Sequence, residues 1–357
     1  MQKEKNNLDF SDQEIFVGLD TGKKSWKVSI LTKDFEHKTF TQPPEPETLV
    51  KYLHRHFPGA RYHCVYEAGY FGFWIYDALK QQGVKCMVVN PSDVPTKNKE
   101  RANRNDQVDA RKLAHNLRNG ELIPLYVPER RFQEDRSLVR MRMTMVKKQT
   151  RCKNQIKGLL TFYGYTIPDE LSGSKWSGNF INWLYKLEFQ QDSGKQALQI
   201  LLDELKHLRQ SITQLTYQIR ALSQQESYRT HVQYLKSISG ISTFTAMVLL
   251  TEIVDINRFK NLDHLASFVG FVPGEDSSGD QEINTGISRR HNAYLRVLLV
   301  ECSWIAVRKD PALLMAFNKL TERMPKNRAI IRIARKILNR IRYVLKNHQP
   351  YEPCVVA

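Results

Sequence analysis

Short stretches near the start of the chain have the composition of β-strands: residues 15–20 are apolar and β-rich, and residues 26–30 alternate between apolar and polar positions as a half-buried strand does. Five such stretches are residues 15–20, 26–30, 37–41, 62–66 and 84–89. A helical pattern lies between the third and fourth stretches, at 49–57, and another follows Glu67 as far as Gln82. The first three strands can form an antiparallel meander, whereas the later two need crossover connections. The pattern therefore predicts an α/β domain with a mixed five-stranded sheet.

Polar and basic residues dominate the chain after the fifth predicted strand. Residues 92–105 read as a loop, and a helix is predicted at 106–119, closed by Gly120. Residues 131–163 read as one long basic helix. Residues 164–194 are rich in Gly, Ser and Trp and predict no clear element.

Leucine and isoleucine then recur at alternating spacings of three and four, which is the a/d seam of a coiled-coil helix. The seam consists of Leu198, Leu201, Leu205, Leu208, Ile212, Leu215, Ile219 and Leu222. Its partner is either the 131–163 helix folded back as a hairpin or the same helix of a second protomer. A helix packed into a globular core is the simpler alternative.

Shorter helices are predicted from Leu235 onwards. Residues 235–246 have the form of a helix-hairpin-helix, in which the turn at Gly240 would offer backbone N–H groups to a DNA phosphate. A plain αα turn explains that pattern about as well. The last predicted helix, 327–347, has an apolar stripe on one face. Its other face carries Arg328, Arg332, Arg335 and Arg342. We expect this C-terminal domain to be all-α.

These patterns divide the chain into five parts. They are an N-terminal tail at 1–13, the α/β domain at 14–125, a coiled-coil helical segment at 128–228 that links or oligomerises, the C-terminal domain at 229–347, and a tail at 348–357.

The formal net charge of +17 implies a polyanionic partner, either nucleic acid or anionic lipid. Two segments carry the excess: residues 128–165 hold ten Lys or Arg against three acids, and residues 286–346 hold fifteen against three. Aromatic and apolar residues interleave with these charges, which favours folded helices over a disordered tail.

Three features predict a cytoplasmic protein. The chain has no run of eighteen apolar residues that would span a membrane. Its N-terminus is polar and unlike a signal peptide. Its five cysteines, Cys64, Cys86, Cys152, Cys302 and Cys354, are scattered without zinc-ligand spacing, as reduced thiols are.

Four carboxylates stand where a metal-dependent site could form. Asp20 and Glu67 end the first and fourth predicted strands, and Asp106 and Asp109 share one face at the start of the following helix. If the ends of strands one and four are neighbours, the four acids converge. Close carboxylates repel unless cations lie between them, and two hard cations can serve phosphoryl transfer. Taken singly, each acid is most often a cap, turn or solvated residue.

A second group of residues surrounds the Ser-Ser-Gly at 277–279. Such a tripeptide is normally just a loop. A serine beside an arginine cluster could nevertheless attack a DNA phosphate, with Arg289, Arg290 or Arg296 stabilising the transition-state charge. No basic residue can be assigned to activate it, and His291 is a candidate by proximity alone.

These motifs, in this order, resemble the DEDD insertion-sequence transposases of the IS110 family, which includes the pilin-gene-inverting recombinases. The resemblance covers nearly all of residues 14–345. The matching segments are 18–20, 66–72, 90–91, 105–114, 238–241, 268–274, 277–279, 287–290 and 295–296. His291 departs from the pattern, because many relatives have Gly after the basic pair.

The resemblance implies an RNase H-like (RuvC-like) N-terminal domain and a C-terminal transposase domain. It implies that Asp20, Glu67, Asp106 and Asp109 bind metal, with two Mg²⁺ ions expected and Mn²⁺ able to substitute. It implies Ser278 as the nucleophile, with Ser277 as the alternative. Its expected partners are donor and target DNA, a structured non-coding (bridge) RNA and further copies of the chain, as a dimer or tetramer, in a bacterial cytoplasm and on the nucleoid.

Twelve residues are expected to contact nucleic acid, eleven through basic side chains and one through its backbone. They are Arg104, Arg140, Lys147, Lys148, Arg151, Lys153, Gly240 (through its backbone), Arg289, Arg290, Arg296, Arg332 and Arg335. Two other functions remain open from the residues alone. One is a junction-resolving RNase H-like nuclease that uses metal-activated water and no serine, and the other is a non-enzymatic nucleic-acid-binding protein.

Overall fold

A computed structural model describes residues 9–95, 105–173, 176–278 and 281–352 of the 357-residue chain. Residues 275–278 and 281–285 are described by their backbone alone. The chain divides into two compact units, Met1–Val127 and Pro128–Ala357.

The first unit is built on a mixed five-stranded sheet with the strand order β3-β2-β1-β4-β5. Its strands are β1 (Glu14–Thr21), β2 (Trp26–Leu31), β3 (Glu36–Gln42), β4 (Arg61–Glu67) and β5 (Lys85–Val89). β1, β2 and β3 pair antiparallel, and β4 pairs parallel with both β1 and β5. The mixed five-stranded sheet predicted from the sequence is confirmed, and the fold is consistent with an RNase H-like domain.

Helices cover both faces of this sheet. They are α1 (Pro46–His56), α2 (Trp74–Gln81) and α3 (Asp106–Arg118). Ile15, Val17 and Leu19 of β1 lie in the core that contains residues of α1 and α2. Val65 of β4 lies in a second core on the other face, with Leu113 of α3. Because side chains alternate along a strand, Gly18 and Asp20 lie on the α3 face of β1.

The second unit is mostly helical. Its helices are α4 (Arg130–Phe162), α5 (Asp169–Ser172), α6 (Gly178–Tyr185), α7 (Asp192–Leu222), α8 (Glu226–Lys236), α9 (Thr243–Ile253), α10 (Leu262–Val269), α11 (Ala293–Lys309), α12 (Pro311–Thr321) and α13 (Lys326–Asn347). A large core joins one end of α4 and α7 to the helices from α8 to α13.

The two long helices α4 and α7 pack against each other within one chain. Cys152, Ile156 and Leu160 of α4 share a core with Leu198, Leu205 and Leu208 of α7. Leu202 is buried there, whereas Leu201 of the predicted seam is only partly buried. Arg142 Nε donates to Thr216 Oγ1 at 2.8 Å further along the pair. The helix predicted at 131–163 therefore folds together with the leucine-rich helix.

The expectation of an all-α C-terminal domain was wrong. β6 (Pro273–Ser278) and β7 (Gln281–Ile287) pair antiparallel as a two-stranded sheet. The segment is almost entirely polar, so it lacks the apolar alternation that predicts strands. The signal present in the sequence was the Gly-Asp dipeptide at 279–280, which is a common hairpin-turn pair.

In the part of the chain that the structure describes, no helix has the length and hydrophobicity needed to cross a membrane. Cys64, Cys86, Cys152 and Cys302 are free thiols, and Cys354 lies outside the described residues.

Candidate functional site

Asp20 and Glu67 lie at the same edge of the sheet. β1 and β4 are adjacent parallel strands, and Leu19 is the register partner of Tyr66. Asp20 follows Leu19 on β1, and Glu67 follows Tyr66 on β4, so the two acids lie at neighbouring strand ends. Val65 faces the α3 side, so Glu67 lies on that side as well, together with Asp20.

Helix α3 supplies the other two acids because it packs directly on β1. A Cβ atom at Gly18 would lie 2.1 Å from the Ala110 carbonyl oxygen and 2.5 Å from the Ala114 nitrogen. Only glycine permits so close an approach of helix and strand backbones. Asn105 caps the helix by accepting a hydrogen bond from the Gln107 N–H at 3.1 Å. Ala110 is the point of contact with Gly18, and Asp106 and Asp109 precede Ala110 by four residues and one residue.

The electrostatics of Asp20 agree with this placement of the four acids. The pKa of Asp20 is raised to about 6, chiefly by burial and additionally by the charges of Asp106, Asp109 and Glu67, while Lys27 opposes the shift. These four acids, named the acid cluster below, thus lie within electrostatic reach of one another at the end of β1. Their charges disfavour ionisation of the central carboxyl group.

The acid cluster is not arranged as a closed set of metal ligands. Among the described residues, no three His, Cys, Asp or Glu side chains are grouped tightly enough to hold a metal ion. Asp109 Oδ1 instead accepts a hydrogen bond from Lys112 Nζ at 3.0 Å. Lys112 was missed in the sequence, although its i, i+3 spacing from Asp109 is that of a helix-face partner. The donor set still has the hard oxygen chemistry that Mg²⁺ requires.

The hairpin that bears the two candidate serines is fixed at its base. The Ser288 N–H donates to the Val272 carbonyl oxygen at 2.9 Å, across the ends of β6 and β7. Arg296 donates to the carbonyl oxygens of Gly270, at 2.8 Å, and Ser288. Arg296, predicted to stabilise a phosphate, is thus engaged with backbone carbonyls. Ser277 and Ser278 lie on β6, where the structure describes the backbone alone.

Two family models match the chain. The model of the IS110 DEDD domain, described as Transposase, matches residues 17–165, and the model described as Transposase IS116/IS110/IS902 family matches residues 232–318. Together they span both the acid cluster and the hairpin. The chain belongs to the IS110 family of transposases. It is therefore a DNA transposase, and the DEDD domain supports dependence on a divalent metal.

Curated relatives agree with this assignment. Protein y4qE of Sinorhizobium fredii is 31% identical over 68% of this chain and 58% of its own length. The transposase of insertion sequence element IS1111A from Coxiella burnetii is 27% identical over 73% of this chain and 71% of its own. Protein y4rJ of S. fredii is 24% identical over 91% and 90%. The chain therefore spans little more than half of y4qE and most of the other two.

A buried ion pair in the second unit of this transposase was missed in the sequence. Glu252 on α9, with a side chain 2% exposed, accepts from Arg140 Nε at 2.6 Å and from Arg140 Nη2 at 2.8 Å. Asn292, the N-cap of α11, donates to the same carboxylate at 2.8 Å. The signal was a single charged residue in the otherwise uncharged helix 243–253. Arg140, predicted to bind nucleic acid, is thus held by a buried acid.

The other predicted nucleic-acid contacts have varied surroundings. Lys147 Nζ lies 5.7 Å from the ring centre of Tyr294, and Lys153 Nζ lies 5.4 Å from that of Trp176. Lys148, Arg151, Arg289, Arg290 and Arg332 are exposed. Arg335 is paired with Asp263. Arg104 lies outside the described residues.

The turn predicted as part of a helix-hairpin-helix joins α8 to α9. Gly240 has φ +92°, and a Cβ atom there would lie 2.5 Å from the Cys302 carbonyl oxygen. The glycine is thus required for packing against α11. Ser242 caps α9 by accepting from the Thr245 N–H at 3.1 Å, and Ser237 Oγ accepts from the Tyr351 N–H at 2.6 Å. The αα hairpin is present, and these contacts do not identify it as a DNA-binding motif.

A basic cleft of about 1210 Å³ runs along α13. Apolar residues of α10, α12 and the hairpin base form part of its lining, Phe271 and Ile287 among them. Its cations are Arg328, Arg332, Arg335, Lys336 and Arg340. Arg340 pairs with the buried Asp310 at 2.5 Å. The positive charge of the other cations makes the cleft suited to binding a polyanion.

Proposed function

We propose that this chain cuts and rejoins DNA through the acid cluster, with Ser278 as the nucleophile. The observation that carries the proposal is the placement of Asp20 and Glu67 at the ends of adjacent parallel strands, on the face where α3 packs against Gly18. Burial and the charges of Asp106, Asp109 and Glu67 raise the pKa of Asp20 to about 6, which agrees with that placement. Carboxylates held close together despite their electrostatic repulsion are typical of functional sites, because that repulsion destabilises the fold and packing alone would not favour it. The proposed domains are those expected from the sequence, with the DEDD domain at 14–125.

The acid cluster would hold Mg²⁺, two ions in our proposal, with Mn²⁺ as a substitute. When bound, the ions would neutralise charge on the scissile phosphate and stabilise the leaving oxygen. Strand ends and one helix terminus position the four carboxylates for this role. Asp109 would use its second oxygen or release Lys112, whose ammonium group would then be available to pair with a phosphate.

Ser278 would form the bond to phosphorus as a bond between phosphorus and a deoxyribose oxygen breaks. Its position on β6 supports this role, because the base of the hairpin is tied to α10 and α11 by Arg296 and Ser288. The exposed Arg289 and Arg290 follow β7 directly and would stabilise negative charge on the phosphate. Ser277 is the alternative nucleophile.

The basic surfaces of the second unit would hold the nucleic acids. We propose phosphate contacts at Lys147, Lys148, Arg151 and Lys153 on α4, and at Arg332 and Arg335 in the cleft. We also propose that the Gly240 turn offers backbone N–H groups to a phosphate. A structured non-coding RNA is the proposed guide, and Arg104 is a further proposed contact.

The heptad seam supports a coiled-coil pairing of α7 with α4, and we propose that the active form is a dimer or tetramer.

A plasmid excision assay tests the mechanism. Asp20→Asn and Ser278→Ala should each abolish excision and insertion while leaving the circular dichroism spectrum unchanged. Ser211→Ala, which alters a serine in the middle of α7, is the control and should retain activity. Full recombination by both site variants would show that the active site lies elsewhere.

Trapping of a covalent adduct distinguishes the serine mechanism from hydrolysis. Wild-type protein incubated with DNA that carries the end of the element should form a denaturation-resistant protein–DNA complex, and Ser278→Ala should form none. Metal-dependent cleavage without an adduct, unchanged in Ser278→Ala, would instead indicate a nuclease that activates water.

A further inference from the structure

An exposed aromatic side chain lies beside the acid cluster. The loop after β4 carries Tyr70, three residues beyond Glu67, and this residue is 82% exposed. Lys23, three residues beyond Asp20, places its Nζ 4.4 Å from the centre of the Tyr70 ring. Because β1 and β4 are parallel neighbours, both loops leave the sheet at the edge where the acids lie.

The loop that presents Tyr70 is anchored on both sides. The Ala68 N–H donates to the Val89 carbonyl oxygen at 2.7 Å. The hydroxyl group of Tyr66, a residue that is fully buried, donates to the Gly72 carbonyl oxygen at 2.9 Å. Phe71, which packs on the core, meets the Tyr70 ring edge-on at 5.7 Å between centres. The exposure of Tyr70 is therefore built into a fixed loop, although a solvated tyrosine gains little for folding.

An aromatic face with a cation beside it has the chemistry that recognises a nucleotide. The ring can stack on a base of any sequence, and the ammonium group can pair with the adjoining phosphate. We propose that Tyr70 and Lys23 form a stacking platform for one unpaired nucleobase of the DNA strand at the acid cluster. This inference rests on the proposed function, since it assumes that the acid cluster acts on DNA.

The platform has a matched control within the same unit. Phe35 is 56% exposed and lies in the turn between β2 and β3, at the opposite edge of the sheet from Asp20. It is also an exposed aromatic residue, but it is remote from the acids. If exposed aromatic residues bound DNA only nonspecifically, Phe35→Ala and Tyr70→Ala would lower affinity equally. A nucleotide platform predicts that only Tyr70→Ala lowers it.

The test compares the binding of two single-stranded probes by the full-length protein in EDTA. One probe is an oligodeoxyadenylate containing 2-aminopurine, and the other is an abasic backbone of equal length and charge. We expect Tyr70→Ala to lower affinity for the base-containing probe about tenfold and to leave affinity for the abasic probe unchanged. Tyr70→Phe should retain wild-type affinity, and Phe35→Ala should match wild type on both probes. Lys23→Gln should weaken binding to both.

Quenching of 2-aminopurine fluorescence gives a second measurement. Stacking on Tyr70 should quench the probe in wild type and in Asp20→Asn, and Tyr70→Ala should reduce that quenching. Equal losses on both probes in Tyr70→Ala, no loss at all, or no binding by wild type would each overturn the platform. Excision activity retained by Asp20→Asn would overturn the proposed function instead, so the two failures can be told apart.

Discussion

Two acidic residues, Asp20 and Glu252, have opposite effects on the stability of the folded chain. Asp20 is destabilised in its ionised form, because burial and three neighbouring acids all raise its pKa, to about 6. At neutral pH the folded state therefore bears the cost of its ionisation. Glu252 is the opposite case, since its buried charge is neutralised by Arg140 and further satisfied by Asn292.

Asp20→Asn should stabilise the protein while removing its activity. The amide cannot ionise, so unfolding at pH 7 in EDTA should require on the order of 1 kcal/mol more free energy than in wild type, discounted because the site is half-exposed. Denaturant titration measures this difference. Asp34→Asn, at an exposed position in the turn between β2 and β3, should change stability little. A clear destabilisation by Asp20→Asn would contradict the repulsion described for the acid cluster.

Glu252→Gln should lower the free energy of unfolding by roughly 3 kcal/mol, because Arg140 would lose the charge that compensates it. Urea titration of the variant against wild type checks this value. Glu134→Gln is the matched control, since Glu134 pairs with Arg130 on the same helix as Arg140 but is 64% exposed. That exposed pair should be worth less than about 1 kcal/mol. Equal effects of the two changes would show that the Glu252 network contributes nothing beyond a surface pair.

At the scale of elements, the position of α3 on β1 decides where the acid cluster forms. The helix can present Asp106 and Asp109 to Asp20 because Gly18 lets its backbone touch the strand. The five strands were predictable because each is a short stretch of strand-forming residues, with alternation clearest in β2. The neighbouring ends of β1 and β4 followed from the presumed topology. The hairpin β6–β7 was not predictable by the same means, because its polar residues leave no periodic signal.

Gly18→Ala should separate α3 from β1 and abolish excision. The new methyl group would meet two backbone atoms, so we expect a loss of about 3 kcal/mol or more in unfolding free energy. Thermal unfolding and the excision assay measure the two effects. Gly69→Ala is the control in the same unit, since its Cβ would meet nothing within 4 Å. Normal stability and activity in Gly18→Ala would show that the helix does not need this close approach.

At the scale of the whole molecule, charge is distributed for contact with a polyanion. The net charge of +17 is concentrated in two segments of the second unit, and α13 brings several of its cations into one cleft. The sequence identified these segments, but it could not show which cations are engaged within the protein. Arg335 and Arg340 are paired with acids that lie far away in sequence, which only the tertiary structure brings close.

Arg332→Gln should reduce the salt dependence of DNA binding. Each phosphate contact releases a counterion, so the slope of log K against log salt should become shallower by roughly one. Binding measured between low and physiological salt gives that slope. Arg55→Gln, at an exposed position on α1, is the control and should leave the slope unchanged. Identical slopes for wild type and Arg332→Gln would remove the cleft from the DNA-binding surface.

The central claim is that Asp20, Glu67, Asp106 and Asp109 act as one divalent-metal site. A thermal-unfolding titration of the full-length protein with Mg²⁺ tests it most directly. Wild type should be stabilised by about 1.4 kcal/mol when free Mg²⁺ is about ten times its Kd. Asp20→Asn, Glu67→Gln, Asp106→Asn and Asp109→Asn should each lose that stabilisation, and Asp34→Asn should keep it. Undiminished stabilisation by Mg²⁺ in all four variants would contradict the account.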